Sequence, residues 1–181
     1  VNEAPMIFNE QYISALNIKF GGSSENSETV ERCQTMQTTV HEQTKANVSD
    51  LVTNGQFAEA VKWIESYSSP NVPINSNEIV DIIHQSAQTN FNKQLNNEEL
   101  GLAKDYLQFF YVEEDKEAAQ SQMHSAAKGK YAAALKNKKF EEAEEYLDFY
   151  FNTEEEELDR VDLYVAEFNH LVKNGEYTPA K

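Results

Sequence analysis

The chain is poor in the residues that punctuate a fold. Four prolines and six glycines in 181 residues leave long stretches without a turn signal, which favours helices over a turn-rich β fold. A single cysteine, Cys33, excludes an internal disulfide. Its place on an apolar helical stripe makes it a small buried hydrophobe rather than a nucleophile. Cations are scarce as well: 15 Lys and Arg against 31 Asp and Glu leave a formal charge of −16. Clustered Lys and Arg are what phosphate backbones and anionic bilayers require, so the charge excludes nucleic acid and an anionic membrane surface as expected partners. No apolar run approaches the ~20 residues that span a bilayer. The chain opens on Val1 rather than Met, which fits processing of a secreted or periplasmic precursor as well as trimming, so the compartment stays open.

What is present argues for a folded chain. An apolar fraction of 40%, with ten Phe and nine Tyr, is too high for disorder, and the length suits one domain or one array of repeats. Residues 1–26 stand apart. Phe8, Tyr12, Ala15 and Leu16 share a helical face before Gly21-Gly22-Ser23-Ser24, which reads as an N-terminal arm or capping segment with a flexible linker. From residue 27 on, apolar positions recur every three or four residues. Val30, Cys33, Val40, Val48 and Leu51 run to a stop at Asn54-Gly55; Phe57, Ala60, Trp63, Ile64 and Tyr67 follow. After Ser68-Ser69-Pro70-Asn71-Val72-Pro73 the same alternation resumes. Ile79, Ile83, Ala87 and Phe91 precede Leu100, Ala103, Tyr106 and Leu107. Ala119, Met123, Ala127 and Tyr131 precede Phe140, Ala143, Tyr146 and Leu147. Thr153 and Glu156 form a capping-box pair ahead of Leu158, Val161, Val165, Phe168 and Leu171. The expectation is an all-α chain of eight or nine helices.

The helices come in pairs with a period. The first apolar residue of each second helix is Phe57, Leu100, Phe140 and Tyr177, spaced 43, 40 and 37 residues apart. Three residues after each of these anchors stands Ala60, Ala103, Ala143 and Ala180. Nine before them stand Val48, Phe91, Tyr131 and Phe168. A small residue at one fixed place permits close helix approach, and a bulky one at the other fills the gap between hairpins. The expected architecture is a short solenoid of stacked antiparallel hairpins, at about residues 27–69, 75–112, 114–152 and 153–181. A compact irregular helical bundle is the alternative.

The segments Gly55-Gln56-Phe57-Ala58-Glu59-Ala60, Lys139-Phe140-Glu141-Glu142-Ala143 and Gly175-Glu176-Tyr177-Thr178-Pro179-Ala180 resemble the turn and second-helix opening of tetratricopeptide repeats. The resemblance covers residues 40–181. It departs from the family in its longer period and in lacking most of that family's Gly and Pro landmarks. It implies a concave groove, lined by the first helices, that holds an extended peptide or a partner helix. Carried over by position, the groove receives Lys45, Gln88, Lys128 and Val165, then Ser49, Asn92, Ala132 and Asn169. Lys45, Gln88, Asn92 and Lys128 are the expected partner-binding residues, against the simpler reading of solvated polar positions.

Three of the four histidines share a register. His41 precedes Phe57 by the same interval as His84 precedes Leu100 and His124 precedes Phe140. Imidazole ligates transition metals, so a metal- or ligand-binding helical protein is the rival reading. Equivalent positions on stacked hairpins sit ~8–10 Å apart, too far for three to converge on one ion, and no metal or cofactor is expected. The run at residues 154–157 lacks the alternating Asp/Asn ligands and Gly of a calcium loop and reads as a helix start. No phosphate loop and no nucleophile elbow is present, so no catalytic residue is assigned; a hydrolase built on a carboxylate pair is the weakest alternative. The leading expectation is a non-enzymatic module that binds another protein or peptide: an adaptor, scaffold or small acidic chaperone. The sequence leaves its oligomeric state open.

Overall fold

The computed structural model describes residues 27–67 and 76–176. Among them are seven α-helices and no strand: α1 (Ser27–Thr53), α2 (Phe57–Tyr67), α3 (Ser76–Asn96), α4 (Leu100–Tyr106), α5 (Glu113–Lys136), α6 (Phe140–Leu147) and α7 (Thr153–Asn174). A 3-10 turn, Leu107–Phe109, continues α4. The expected N-terminal arm, the Pro70–Pro73 link and the fourth anchor Tyr177 with Ala180 lie outside the described residues. None of these helices is long and apolar enough to cross a membrane.

Every first helix ends in the same way, for a reason only partly visible in residue type. The residue two places before each anchor takes a left-handed backbone: Gly55 at φ 77°, Glu98 at 64°, Lys138 at 60° and Gly175 at 72°. The amide after it reaches back across the turn, from Gln56 to Leu51, Glu99 to Gln94, Lys139 to Ala134 and Glu176 to Leu171. These are Schellman caps, in which a 6→1 bond satisfies a carbonyl that the helix end leaves open. Glycine adopts this backbone freely, whereas Glu98 and Lys138 do so at a steric cost of ~1–2 kcal/mol each.

The chain divides into two units, residues 1–86 and 87–181, with the boundary inside α3. In the first, α1 packs on α2, and Val48, Val52, Phe57 and Ala60 are buried. Thr44 is buried too, its hydroxyl donating to the Val40 carbonyl at 2.8 Å. Ile79, Ile83 and His84 are the buried residues of α3 in this unit.

In the second unit, Phe91 of α3 meets Phe110 edge-on at 5.7 Å, and Leu100, Ala103 and Leu107 are buried with them. Helix α5 packs on α6 along Ala119, Met123, Ala127, Tyr131 and Ala134. Its mate contributes Ala143 and Leu147. The anchor-plus-three alanines Ala60, Ala103 and Ala143 are fully buried, as the small-residue position requires. Lys104 donates to the Asp148 carbonyl at 2.9 Å, a cation at the C-terminal end of α6 where the helix dipole favours one.

Helix α7 packs on α6 through the buried Leu163. Its start corrects the expected Thr153–Glu156 capping box. The N-cap is Asn152, whose Oδ1 accepts from the amides of Glu154 (3.1 Å) and Glu155 (3.3 Å). Asn152 holds an extended backbone, the conformation an N-cap requires, while Thr153 is already helical.

Candidate functional site

Lys45 and Lys128 stand on the first helices of their hairpins, one turn after His41 and His124. In each case the pair closes on a carboxylate at the third position of the next first helix. Lys45 Nζ lies 2.9 Å from Glu78 Oε2 and His41 Nε2 lies 3.4 Å from the same oxygen. Lys128 Nζ and His124 Nε2 both lie 2.9 Å from Glu155 Oε2. The spacing of four residues on α1 and α5 puts imidazole and ammonium on one helical face. The third place on α3 and α7 presents an acid at the positive end of the helix dipole. The result is a staple from one hairpin to the next, built twice.

Electrostatics agree with the geometry. The hydrogen bonds from Lys128 and then His124 hold the Glu155 carboxyl below its ordinary range. Those from Lys45 and His41 do the same for Glu78. Lys45 and Lys128 are raised in turn, chiefly by their bonds to Glu78 and Glu155.

The second staple has a tighter surround. The Phe151 amide donates to His124 Nδ1 at 3.3 Å, so the proton of the neutral ring sits on Nε2 and is donated to Glu155. The Tyr150 ring stands edge-on to His124 at 4.6 Å. The Tyr150 hydroxyl donates to Asp159 Oδ2 at 2.8 Å, and the Tyr131 hydroxyl donates to the Asp159 carbonyl at 2.5 Å. Burial, with Asp159 and Asp162 nearby, pushes the Tyr131 hydroxyl up to about 12. Burial and the Asp159 bond push Tyr150 well above the usual phenol range. In the first staple, His41 Nδ1 is enclosed and has no hydrogen-bond partner among the described residues. The residue in register with Phe151 there is Ser68, outside them.

The other expected partner-binding residues fall elsewhere. Gln88 is half-buried on α3 and Asn92 is exposed one turn further on. Gln88 takes the sequence register of Lys45 and Lys128 but carries a neutral amide there. Among the described residues no group of three or more His, Cys, Asp and Glu side chains could hold a metal ion. Both ring nitrogens of His124 are engaged within the chain. Two of the glutamates of α6 are also occupied: Glu142 accepts from Lys139, and Glu144 from Arg160 and Tyr164. Glu144, with Glu141, Glu145 and Asp148, lines a shallow acidic depression beside Arg160.

Glu78, Glu155 and Asn152 are residues that reading the sequence did not single out. A signal for the acids is nonetheless present. Glu78 and Glu155 each stand third in a helix that opens the next hairpin, and Asp115 holds the same place in α5. The arrangement can clamp hairpins and present amides and aromatic edges, with Tyr111, Val112 and Phe151 exposed after the second helices. No family model, curated protein or solved structure matches the chain.

Proposed function

We propose that the chain is a non-enzymatic, tetratricopeptide-like array of helical hairpins, stacked as a short solenoid, whose first-helix face receives an extended peptide or helix of another protein. The observation that supports this reading is the repetition itself. The same left-handed turn recurs at all four hairpin ends, and the same histidine–lysine–carboxylate staple recurs in both units. A polar device repeated at fixed register is the economy of a scaffold, in which each hairpin is held to the next.

On this reading the staples and the recognition residues divide the work. An incoming carboxylate has to compete with Glu78 and Glu155 for Lys45 and Lys128, so the groove favours backbone and amide groups over acidic side chains. Gln88 and Asn92 supply the donors and acceptors for them. Affinity capture with the full chain tests this. The double variant Gln88→Ala/Asn92→Ala is expected to weaken retention of a captured protein at least tenfold while the melting temperature stays put. Equal retention by the variant would remove the groove from the proposal.

A further inference from the structure

The two ring nitrogens of His124 tie α5 to two different segments. Nε2 meets Glu155 Oε2 of α7 at 2.9 Å, and Nδ1 accepts from the Phe151 amide at 3.3 Å. Phe151 lies in residues 148–152, which join α6 to α7. One protonation state alone can hold both. A neutral imidazole offers one donor and one acceptor, whereas an imidazolium offers two donors and no acceptor. A proton on Nδ1 sets N–H against N–H across 3.3 Å, and the bond to Phe151 is lost. The bond to Glu155 needs the Nε2 proton, which the imidazolium keeps, and charge assistance strengthens it.

We infer that His124 is a proton-operated latch: a proton on its ring frees the 148–152 connection from α5 at Phe151, while α7 stays stapled to α5 through Glu155. The groups around the ring fit that division. On α7, Glu155 faces Nε2 directly, and Asp159 stands behind the Tyr150 hydroxyl. Helix α5 itself supplies Lys128, whose ammonium is 2.9 Å from the same Glu155 oxygen. The connection supplies Tyr150, edge-on to the imidazole at 4.6 Å. From α4, Lys104 reaches the connection at the Asp148 carbonyl and stands over the Phe149 ring. On α6, Glu142 and Glu144 are engaged with Lys139, Arg160 and Tyr164. Lys128 and His124 hold the Glu155 carboxyl low, so it stays ionised where imidazoles ordinarily titrate.

Release at Phe151 leaves the rest of the corner in place. Tyr150 keeps its bond to Asp159 Oδ2 at 2.8 Å. Asn152 keeps the Glu154 and Glu155 amides at 3.1 and 3.3 Å, so the start of α7 stays capped. What changes is the backbone between these two anchors. Phe151 is 39% exposed, and once its amide is free its ring is no longer held at one angle to α5. The latch thereby sets how an exposed aromatic is presented beside the staple.

The inference rests on residues of the second unit and not on the groove, so a groove that binds nothing leaves it intact. Nuclear magnetic resonance of the full chain, titrated from neutral pH into acid, reads it directly. The His124 ring nitrogens report the proton, and the Phe151 amide reports its hydrogen bond. Both should change with one midpoint. Protection of the Phe151 amide, corrected for the intrinsic pH dependence of exchange, should fall about tenfold, while the Glu154 and Glu155 amides do not follow. His124→Gln keeps a donor and an acceptor without a titrating proton, so its Phe151 amide should hold across the same range. His124→Lys carries donors alone and should show the released Phe151 signal already at neutral pH. His170→Gln, which removes an imidazole from the far end of α7, should leave the Phe151 transition intact. A Phe151 amide indifferent to the His124 titration, or a transition that survives in His124→Gln, would overturn the inference. So would a start of α7 that melts in the same step, or a His124 that stays neutral until the chain unfolds.

Discussion

Helices α5 and α7 occupy the same place in successive hairpins and follow the same register, yet they hold the chain together in different ways. Met123, Ala127 and Tyr131 of α5, the helix that packs on α6, are all buried. At the same three places before the anchor, α7 has Arg160, Tyr164 and Phe168. Arg160 reaches Glu156 and Glu144, Tyr164 bonds to Glu144, and Tyr164 and Phe168 are about half exposed. Both helices have apolar residues at helical spacing. Helix α5 packs on α6, whereas the mate expected for α7, from Tyr177 on, lies outside the described residues, and Leu163 is the buried residue of α7. A periodic apolar stripe therefore identifies a helix but not which of its faces is core.

The sharpest way to break this comparison is at the register that Met123 and Arg160 share. Met123→Ala should cost ~2–5 kcal/mol, read as a lower urea midpoint, because a fully buried side chain leaves a cavity. Arg160→Ala at the same register should move the midpoint far less, since its carboxylate partners remain solvated. Equal effects would show that α7 is as enclosed as α5.

Next in size is the aromatic corner that backs the second staple. Tyr150→Phe leaves the ring against His124 but removes the donor to Asp159, a loss of ~1–3 kcal/mol for a bond to a charged acceptor. The same corner gives an alkaline signature. Tyr131 and Tyr150 are raised in the folded chain relative to the ordinary phenol near 10, chiefly by burial. Their contribution is thus fully present below pH ~10 and is lost as pH rises through about 12 for Tyr131. The double Phe variant should flatten that part of the stability–pH curve.

The turns offer a gain of similar kind but smaller size. Lys138→Gly should stabilise by up to ~1 kcal/mol, because the left-handed position no longer strains a Cβ, although the more flexible unfolded chain offsets part of this. Gly55→Ala, with nothing to clash with but the same backbone requirement, should lower the melting temperature.

The smallest expected differences separate the two staples. Glu155→Gln should lower the melting temperature more than Glu78→Gln, since both cation contacts to Glu155 are 2.9 Å and His124 is further held by Phe151 and Tyr150. Both carboxyls are depressed in the folded chain, so their contribution is present above the ordinary carboxylate range and falls away as pH drops below it. The wild-type advantage over each variant should shrink accordingly in acid.

Much of the fold was legible. The alanines at anchor plus three and the bulky residues nine before it read as core; Ala60, Ala103, Ala143, Val48, Phe91 and Tyr131 are core, Phe168 is half exposed, and Ala180 lies outside the described residues. The turns at Asn54-Gly55 and Asn174-Gly175 announced themselves, while Glu98 and Lys138 did not, because a left-handed residue other than glycine leaves no mark in composition. The coincidence of His41, His84 and His124 was visible as a register. Its partners in two of the three cases, Glu78 and Glu155, were hidden because they come from the next hairpin, far along the chain from the histidines they meet. Among many surface acids, nothing local distinguishes the one that will face a histidine.

By itself, then, the sequence determined that the chain is helical and where most of its described helices stop, since these follow from the spacing of apolar side chains and from helix-ending residues within a few positions of each other. Tertiary structure alone decided what each repeated position touches. It set Lys45 and Lys128 on internal carboxylates, and it left Val161 and Val165 on an open face at the very register those staples use. Both outcomes depend on which helix lies alongside, and that is a property of packing between segments distant in the chain.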